Sequence, residues 1–353
     1  MKICFDYEIF WKQKFSGVAS RYYFNLIKYL AINNNLDIRV FANIFLNERI
    51  EELPPKIVIG KRMKIRIPFS GKILEKFNSI LCDYQIEKFN PQIIHKTYYS
   101  NKIKIKKKKV ILTVFDLWHE KNANFKYLPK EYSLNLSDHI ICPSYKTKSD
   151  LINIYNLDEK KISVTYFGIE NFKEYKINNA FFKNIINRPY ILFVGSRGRY
   201  KNFFNLIKVF AKSEKLKKDF QILCFGGGPF SLEEKKLFKE KDISNLIIKT
   251  ERDDDNTLFN CYKNAKCLVY PSSHEGLGLP PLEAMSLNCP VISGNHEAIL
   301  EAVGDAAITF NPLDFDDFLF KLEDTIYSQD KISKIISKGQ IQSKKFSWQK
   351  CAD

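Results

Sequence analysis

Short apolar runs of strand length alternate with amphipathic stretches of helix length along nearly the whole chain of 353 residues. This alternation is typical of parallel β-sheets that are covered by helices on both faces. Because the chain is longer than one hydrophobic core usually supports, the pattern predicts two α/β domains. The predicted strands cover residues 2–5, 37–41, 93–95, 110–115, 139–142 and 162–165, and then 190–194, 221–225, 246–248, 267–270, 291–293 and 307–310.

A polar stretch around residues 171–188 separates the two series of strands. We therefore predict a first Rossmann-like domain over residues 1–175, a linker over 176–188 and a second Rossmann-like domain over 189–335. Residues 336–353 are expected to form a helical segment that packs back toward the first domain. Ligands on doubly wound sheets bind outside the carboxyl ends of the strands, so a cleft between the domains is the expected site.

The composition is that of a globular protein, with 45% hydrophobic and 14% aromatic residues. The longest apolar runs are of strand length, far below the roughly 18 residues of a spanning helix. Asp6 and Glu8 stand where a signal peptide would have its apolar core, so we expect a cytoplasmic protein.

Eight cysteines are scattered without a C-x-x-C pair, which predicts free and mostly buried thiols. The five histidines lack the spacing of a metal site, and we expect no metal to be required.

The net charge is +16, and residues 1–180 carry +13 of it by count. Its densest point is a run of six lysines between Lys102 and Lys109. Such a run is consistent with a solvated surface segment. It is equally consistent with attraction to an anionic partner, either lipid head groups or nucleic acid.

The most informative segment is YPSSHEGLGLPPLEAMSLNCPVIS, from Tyr270 to Ser293. A predicted strand ends there in a loop that carries Glu275, and Gly276 and Gly278 allow a close approach of the backbone. Two prolines then open a predicted helix near Leu282, whose N-terminus is suited to binding an anion such as a diphosphate. Glu275 and Glu283 can each accept a pair of hydrogen bonds from sugar hydroxyls. The alternative is a glycine-rich turn in which Glu283 only favours the helix dipole.

A second informative segment, FVGSRGRYKNFFNLIKVF, covers residues 193–210. A strand is followed by a short basic loop with Arg197, Arg199 and Lys201, and Asn202 precedes a predicted helix. Cations in this loop would stabilise the charge that develops on a leaving diphosphate.

These segments resemble the retaining family-four glycosyltransferases, which use nucleotide-sugar donors. Their GT-B architecture consists of two Rossmann-like, doubly wound parallel-sheet domains facing a central cleft. The most specific feature is the E-x7-E spacing from Glu275 to Glu283, and the resemblance covers nearly the whole chain. Also similar are VGSRGRYKNF, DDDNTLFNCYKNAKCLVYPS, the N-terminal FSGVASRYYFNL and the C-terminal FSW.

The resemblance implies roles for individual residues. Glu283 would bind the nucleotide ribose, Glu275 would approach the donor sugar and Lys201 would bind phosphate, with Arg197 or Arg199 as its partner. We predict Glu275, Lys201 and Arg197 as catalytic residues and Asp116 and Trp118 as acceptor-binding residues. The predicted donor-binding residues are Gly17, Arg199, Gly276, Leu277, Gly278, Leu279 and Glu283.

Three departures from the family pattern affect these expectations. Phe115 stands where the family commonly has a histidine that meets the donor sugar, and the N-terminal double glycine is Ser16-Gly17. The sequence also continues for only five residues after the FSW, as QKCAD, which predicts a short C-terminal crossover.

Two acidic clusters resemble the D-x-D metal motif of other glycosyltransferases, one at residues 253–255 and one at residues 314–317. Both precede predicted helices, so we interpret them as N-terminal caps. Residues 226–228 are three glycines without dinucleotide-binding spacing, and we interpret them as a turn.

The predicted function is transfer of a hexose, with a mannose-type donor favoured, from a nucleotide diphosphate sugar to a glycan or lipid-linked acceptor, with retention of configuration. Similar segments occur in enzymes of bacterial surface polysaccharide and lipopolysaccharide assembly. We expect no cofactor beyond the nucleotide sugar and a peripheral association with the inner face of the membrane. The alternative is a basic nucleic-acid-binding protein without enzymatic activity, but the nearly neutral second half argues against it.

Overall fold

The computed structural model describes residues 1–13, 17–64, 71–100, 108–121, 130–170, 172, 175–176 and 186–353. Two compact units are present: Met1–Gly168 together with Trp348–Asp353, and Ile169–Ser347. Each contains a twisted sheet in which all paired strands run parallel.

The sheet of the first unit has the strand order β3-β2-β1-β4-β5-β6-β7 among the described residues. The order reverses between β1 and β4, where Ile3–Phe5 pairs in register with residues 93–95. The strands are β1 (Lys2–Asp6), β2 (Asp37–Phe45), β3 (Val58–Arg62), β4 (Ile93–Lys96), β5 (Lys109–Thr113), β6 (His139–Cys142) and β7 (Ile162–Val164). The helices are α1 (Glu8–Lys12), α2 (Val18–Leu30), α3 (Gly71–Phe89), α4 (Trp118–Lys121), α5 (Lys130–Leu136), α6 (Tyr145–Tyr155) and the C-terminal α15 (Trp348–Ala352).

The sheet of the second unit has the order β10-β9-β8-β11-β12-β13 among the described residues, with its reversal between β8 and β11. Its strands are β8 (Tyr190–Val194), β9 (Gln221–Phe225), β10 (Ile247–Lys249), β11 (Cys267–Tyr270), β12 (Val291–Gly294) and β13 (Ile308–Phe310). Its helices are α7 (Phe203–Lys212), α8 (Glu214–Asp219), α9 (Leu232–Glu240), α10 (Asp255–Asn264), α11 (Leu279–Ser286), α12 (Glu297–Val303), α13 (Phe315–Ile326) and α14 (Gln329–Ser343).

The predicted α/β class is confirmed, and the twelve predicted strands all have counterparts within a few residues. The strand that the sequence reasoning missed is β3 at the edge of the first sheet, where Lys61, Arg62 and Gly60 interrupt the apolar pattern. A parallel strand in the sheet interior is buried on both faces and reads as a continuous apolar run, whereas β3 contains no buried residue and lacks such a run. The prediction of buried thiols is also confirmed, since all eight cysteines are buried and none of them is in a disulfide bond.

The short helix α15 packs against α2 within the first unit. Gly168 makes this contact possible, because a Cβ atom there would stand 2.2 Å from the backbone nitrogen of Trp348. Any larger residue at this position would force the backbone of α15 away.

Candidate active site

Two segments that are far apart in the sequence meet where the strand order of the second sheet reverses. The strands β8 and β11 are direct neighbours, with Cys267 paired to Ile191 and Leu268 to Leu192. The loop after β8 carries Lys201, and the loop after β11 carries Glu275. Their carboxyl ends therefore deliver both side chains to the same edge of the sheet, where doubly wound folds bind ligands.

Lys201 and Glu275 form a direct ion pair with Tyr270 beside them. Lys201 Nζ lies 2.5 Å from Glu275 Oε1 and donates to the Tyr270 hydroxyl at 2.9 Å. The Tyr270 hydroxyl in turn donates to Glu275 Oε1 at 2.6 Å. Burial and the neighbouring Glu275 raise the pKa of Tyr270 well above its usual value, so the phenol stays protonated as a donor.

The second glutamate, Glu283, lies in α11 and is only 2% exposed. Its Oε2 accepts a hydrogen bond of 3.1 Å from the hydroxyl of Tyr262, which is itself fully buried. The sequence predicted a helix that begins near Leu282, with Glu283 in its first turn. In the structure the helix begins at Leu279, so Glu283 lies in its second turn. The alternative interpretation, that Glu283 only favours the dipole of the first turn, is therefore wrong.

The loop between the two glutamates presents backbone rather than side chains. Leu277 and Leu279 are buried, so their side chains belong to the core. Gly278 caps α11 with a φ of +99°, a conformation that costs a non-glycine residue strain. Donor contacts expected from Gly276, Leu277, Gly278 and Leu279 would therefore come from their own backbone N–H groups in the loop that leads into α11, because Pro280 and Pro281 have no N–H to donate.

Arg197, which we expected to be catalytic, is buried, and its guanidinium group is hydrogen-bonded to other groups of the protein. Its Nε lies 2.7 Å from Glu234 Oε1, and its terminal nitrogens donate to the carbonyl oxygens of Gly226, Gly228 and Pro229 at 2.7 to 2.9 Å. These contacts fix the glycine turn after β9, whose three glycines all have positive φ. A catalytic role for Arg197 stays a prediction, while its structural role is evident.

Arg199 is the exposed arginine of the same loop. It has a φ of +55° in a short 3-10 turn, Arg199–Lys201, that leads directly to the lysine of the cluster. The sequence left open whether Arg197 or Arg199 is the partner of Lys201 in binding phosphate. Arg199 lies in the same short turn as Lys201, whose side chain is held by the ion pair with Glu275.

The predicted acceptor and loop residues of the first unit lie at the carboxyl edge of its own sheet. Gly17 caps α2, where a Cβ would meet the flexible side chain of Gln13 at 2.7 Å. Asp116 accepts a hydrogen bond of 3.1 Å from the backbone N–H of Trp118, the first residue of α4. The buried Lys130 donates to the Asp116 carbonyl oxygen at 2.9 Å and so fixes this turn.

Phe115, at the position of the family's histidine, takes part in an aromatic cluster. Its ring centroid lies 5.3 Å from Tyr22 and 5.5 Å from Phe167, and Tyr23 is 6.0 Å away. An apolar ring suits this environment, where an imidazole would need a polar partner.

The aspartate clusters cap helices, as interpreted from the sequence. Asp254 accepts from the backbone N–H of Thr257 at the start of α10 at 2.8 Å. Asp314 accepts from Asp316 and Asp317 at the start of α13 at 3.1 and 3.0 Å. Within the described part of the chain, no group of three His, Cys, Asp or Glu side chains is arranged to hold a metal ion.

Sequence reasoning missed the two tyrosines that hold the two glutamates. Tyr270 is the last residue of β11, and Tyr262 lies in α10. Both look like core aromatics in the sequence, because the hydroxyl contacts depend on the packing of α10, α11 and β11. Tyr270 is the first residue of the segment that carries both glutamates, and Tyr262 precedes that segment by eight residues, but neither position indicates a hydroxyl contact.

Among the helices of the described residues, none has both the length and the apolar composition that a membrane span requires.

Two family models match the sequence and together cover most of it. The model described as Glycosyltransferase Family 4 matches residues 19–171, and the model described as Glycosyl transferases group 1 matches residues 176–345.

Curated relatives match over part of their length. The O-antigen chain mannosyltransferase RfbU of Salmonella typhimurium is 29% identical over 193 residues, 54% of this chain and 51% of that protein. The O-antigen chain mannosyltransferase B of Escherichia coli is 37% identical over 97 residues, 28% of this chain and 26% of that protein. The chain thus spans about half the length of the first of these relatives and about a quarter of the second.

The fold also resembles solved structures. The sucrose-phosphate synthase of Thermosynechococcus elongatus matches with a TM-score of 0.78 and 17% identity, over 100% of this chain and 96% of that one. At this identity the likeness supports the fold alone.

Proposed function

Because the chain belongs to glycosyltransferase family 4 and has the GT-B fold, we propose that it transfers a hexose from a nucleotide diphosphate sugar to a hydroxyl group, with retention of configuration. One observation carries the proposal: Lys201 and Glu275, which are 74 positions apart, meet with Tyr270 at the reversal point of the second sheet. A cation and a carboxylate at this edge provide the opposite charges that a diphosphate and a sugar cation require.

In the proposed reaction, Glu283 binds the ribose and Glu275 faces the donor sugar. Lys201 and Arg199, with the backbone N–H groups of the loop that leads into α11, stabilise the departing nucleoside diphosphate. The bond from the anomeric carbon to the phosphate oxygen breaks, and the acceptor hydroxyl attacks the oxocarbenium-like sugar on the face that the leaving group vacates. The proton of the hydroxyl passes to the departing phosphate oxygen, which lies on the same face. Binding of the diphosphate would draw Lys201 away from Glu275, which leaves that carboxylate available to the sugar.

A mannose-type donor and a surface-polysaccharide acceptor are the specificity that we propose. The support is the similarity to two O-antigen chain mannosyltransferases, which covers part of their length. We propose further that no divalent metal is needed, because Lys201, Arg199 and a helix N-terminus already provide positive potential for the diphosphate. Asp116 and Trp118 remain the proposed acceptor contacts.

Thermal stabilisation by a panel of nucleotide diphosphate sugars tests the donor. A ligand at one hundred times its Kd should add about 2.7 kcal/mol of stability. We expect one member of the panel to stabilise the protein, Glu283→Gln to lose the effect and the exposed Glu233→Gln to keep it. Proton NMR of the glycoside formed would then give the anomeric configuration. Retention on heparin without any stabilisation by nucleotides would favour the nucleic-acid alternative and overturn the proposal.

A further inference from the structure

The long helix α3 of the first unit carries an apolar stripe that faces solvent. Ile73 is 73% exposed, Phe77 49%, Ile80 60% and Tyr84 62%. Their spacing of four, three and four residues places them on one narrow face of a helix with 3.6 residues per turn. The buried residues of the same helix, Asn78, Cys82 and Ile86, fall on the opposite face.

This buried face already anchors α3 to the sheet. The Asn78 amide donates to the Ile44 carbonyl oxygen at 2.7 Å and accepts from the Ile44 N–H at 2.8 Å. The exposed stripe is therefore not needed for packing within the unit. Four large apolar side chains in a row on a solvent-facing helix mark an interaction surface rather than scattered exposure.

Lysines accompany the stripe. Lys72, Lys76 and Lys88 on α3 are exposed, whereas of its three acids only Glu87 is exposed and Glu75 and Asp83 are half-buried. Residues 1–180 carry a net charge of +13, so the stripe belongs to the strongly basic part of the chain. An apolar face flanked by lysines is the pattern of helices that lie in a membrane interface, where anionic head groups meet the lysines.

The size of the stripe argues against a second copy of the chain as its occupant. The exposed fractions of the four side chains amount to roughly 450 Å², whereas a stable interface buries about 800 Å² on each partner. A bilayer interface has no such minimum area, because it accepts each apolar side chain separately.

We propose that the Ile73, Phe77, Ile80 and Tyr84 face of α3 inserts into the interfacial region of an anionic lipid bilayer and anchors the first unit there. This inference is independent of the proposed transferase reaction. It also differs from attraction by charge alone, since an inserted apolar face keeps part of its binding when salt screens the lysines.

Co-sedimentation with vesicles of about three parts phosphatidylcholine to one part phosphatidylglycerol tests the proposal. The test variant is Phe77→Ser with Ile80→Ser. The matched control is Phe320→Ser with Ile341→Ser, which removes two apolar side chains of 62% and 66% exposure from the second unit. We expect the test variant to bind at least tenfold more weakly, and the control to stay within about twofold of the unmodified chain.

The salt dependence separates insertion from electrostatic attraction. Raising salt from roughly 0.1 M to 1 M shortens the Debye length from about 10 Å to about 3 Å. The unmodified chain should retain measurable binding at high salt, and the test variant should lose it. Equal binding of test and control variants, at either salt, would overturn the proposal.

A variant that gains a signal on insertion distinguishes loss of the apolar face from misfolding of the test variant. Phe77→Trp should show fluorescence quenching by lipids brominated in their acyl chains, and Phe320→Trp should not. Absence of quenching in bound Phe77→Trp overturns insertion of the face. A dimer in sedimentation equilibrium that the test variant dissociates, with vesicle binding unchanged, would assign the face to self-association instead and also overturn it.

Discussion

The two glutamates of the candidate site have different surroundings, and their removal should have different kinetic effects. Glu283 is deeply buried and hydrogen-bonded to Tyr262, whereas the side chain of Glu275 is 12% exposed and forms an ion pair with Lys201. If Glu283 binds the ribose equally in substrate and transition state, Glu283→Gln should raise KM and leave kcat nearly intact. If Glu275 meets the sugar as its charge develops, Glu275→Gln should lower kcat about 100-fold or more.

Steady-state kinetics of both variants, with calorimetry of nucleoside diphosphate binding, measures this difference. Nucleotide affinity should fall in Glu283→Gln and barely change in Glu275→Gln. Intact turnover in Glu275→Gln would contradict the assignment of the sugar contact.

The tyrosine hydroxyls should act through the glutamates they hold. Tyr270→Phe removes the 2.6 Å hydrogen bond to Glu275 and the 2.9 Å contact with Lys201. We expect kcat to fall by about tenfold, the scale of one lost hydrogen bond to a charged group, with unchanged nucleotide affinity. Tyr262→Phe, which removes the 3.1 Å bond to Glu283, should instead weaken nucleotide binding.

These paired variants control for each other, since both remove one hydroxyl from a buried ring. The same loss of kcat and of affinity in both would mean that the tyrosines only support the fold.

At the scale of elements, helix caps account for the acidic clusters. Asp314→Ala removes the acceptor for two backbone N–H groups at the start of α13 and should lower the free energy of unfolding by about 1 kcal/mol. The activity of each folded molecule should not change, and the activity should remain insensitive to chelators, as in the unmodified chain. Loss of activity in a chelator, restored by manganese, would instead identify a metal requirement.

The carboxyl edge of the first sheet contains a buried charged network that predicts a pH dependence. Glu8 is fully buried at the start of α1, accepts a hydrogen bond from Ser100 and lies near Lys96 and Asp6. Burial, with the nearby Asp6 adding to it, raises the pKa of Glu8 to about 7 from an ordinary value of 4.5. Within the described residues its Oε2 has no hydrogen-bond partner.

The folded protein therefore holds a proton on Glu8 that the unfolded chain has already released between pH 4.5 and 7. Stability from this group is fully present below the lower value and is lost as the pH rises through about 7. Glu8→Gln, which resembles the protonated acid, should be more stable than the unmodified chain at pH 8, by up to about 3 kcal/mol, and equal to it near pH 4.5. Denaturant unfolding at both pH values measures this, and a variant that is less stable at pH 8 would contradict it.

At the scale of the whole molecule, charge is divided unequally along the chain. Residues 1–180 carry +13 and the remainder +3. Neutralising Lys106–Lys109 should weaken binding to anionic vesicles at low salt, because each lysine near such a surface contributes about 1 kcal/mol. Vesicle sedimentation at low and high salt checks this, and unchanged binding at low salt would remove the lysine run from the interaction. Lys106 and Lys107 lie outside the described residues.

Much of the molecule follows from local sequence patterns. Apolar runs of three to six residues identify the interior strands, because both faces of a parallel strand are buried. The edge strand β3 was not predicted, because its exposed Lys61 and Gly60 interrupt the apolar pattern. The E-x7-E spacing and the glycines around it identified the segment of the second unit that meets Lys201, because those residues are neighbours in the sequence.

The contacts within the site were decided by tertiary structure. Lys201 meets Glu275 only because β8 and β11 are adjacent, and the alternation of strands and helices does not specify strand order. The hydrogen bond from Arg197 to the glycine turn after β9 also depends on strand order, because it requires β8 and β9 to be neighbours. A sequence determines which segments are buried through their local composition, whereas the partners of a buried polar group depend on which distant segments pack beside it.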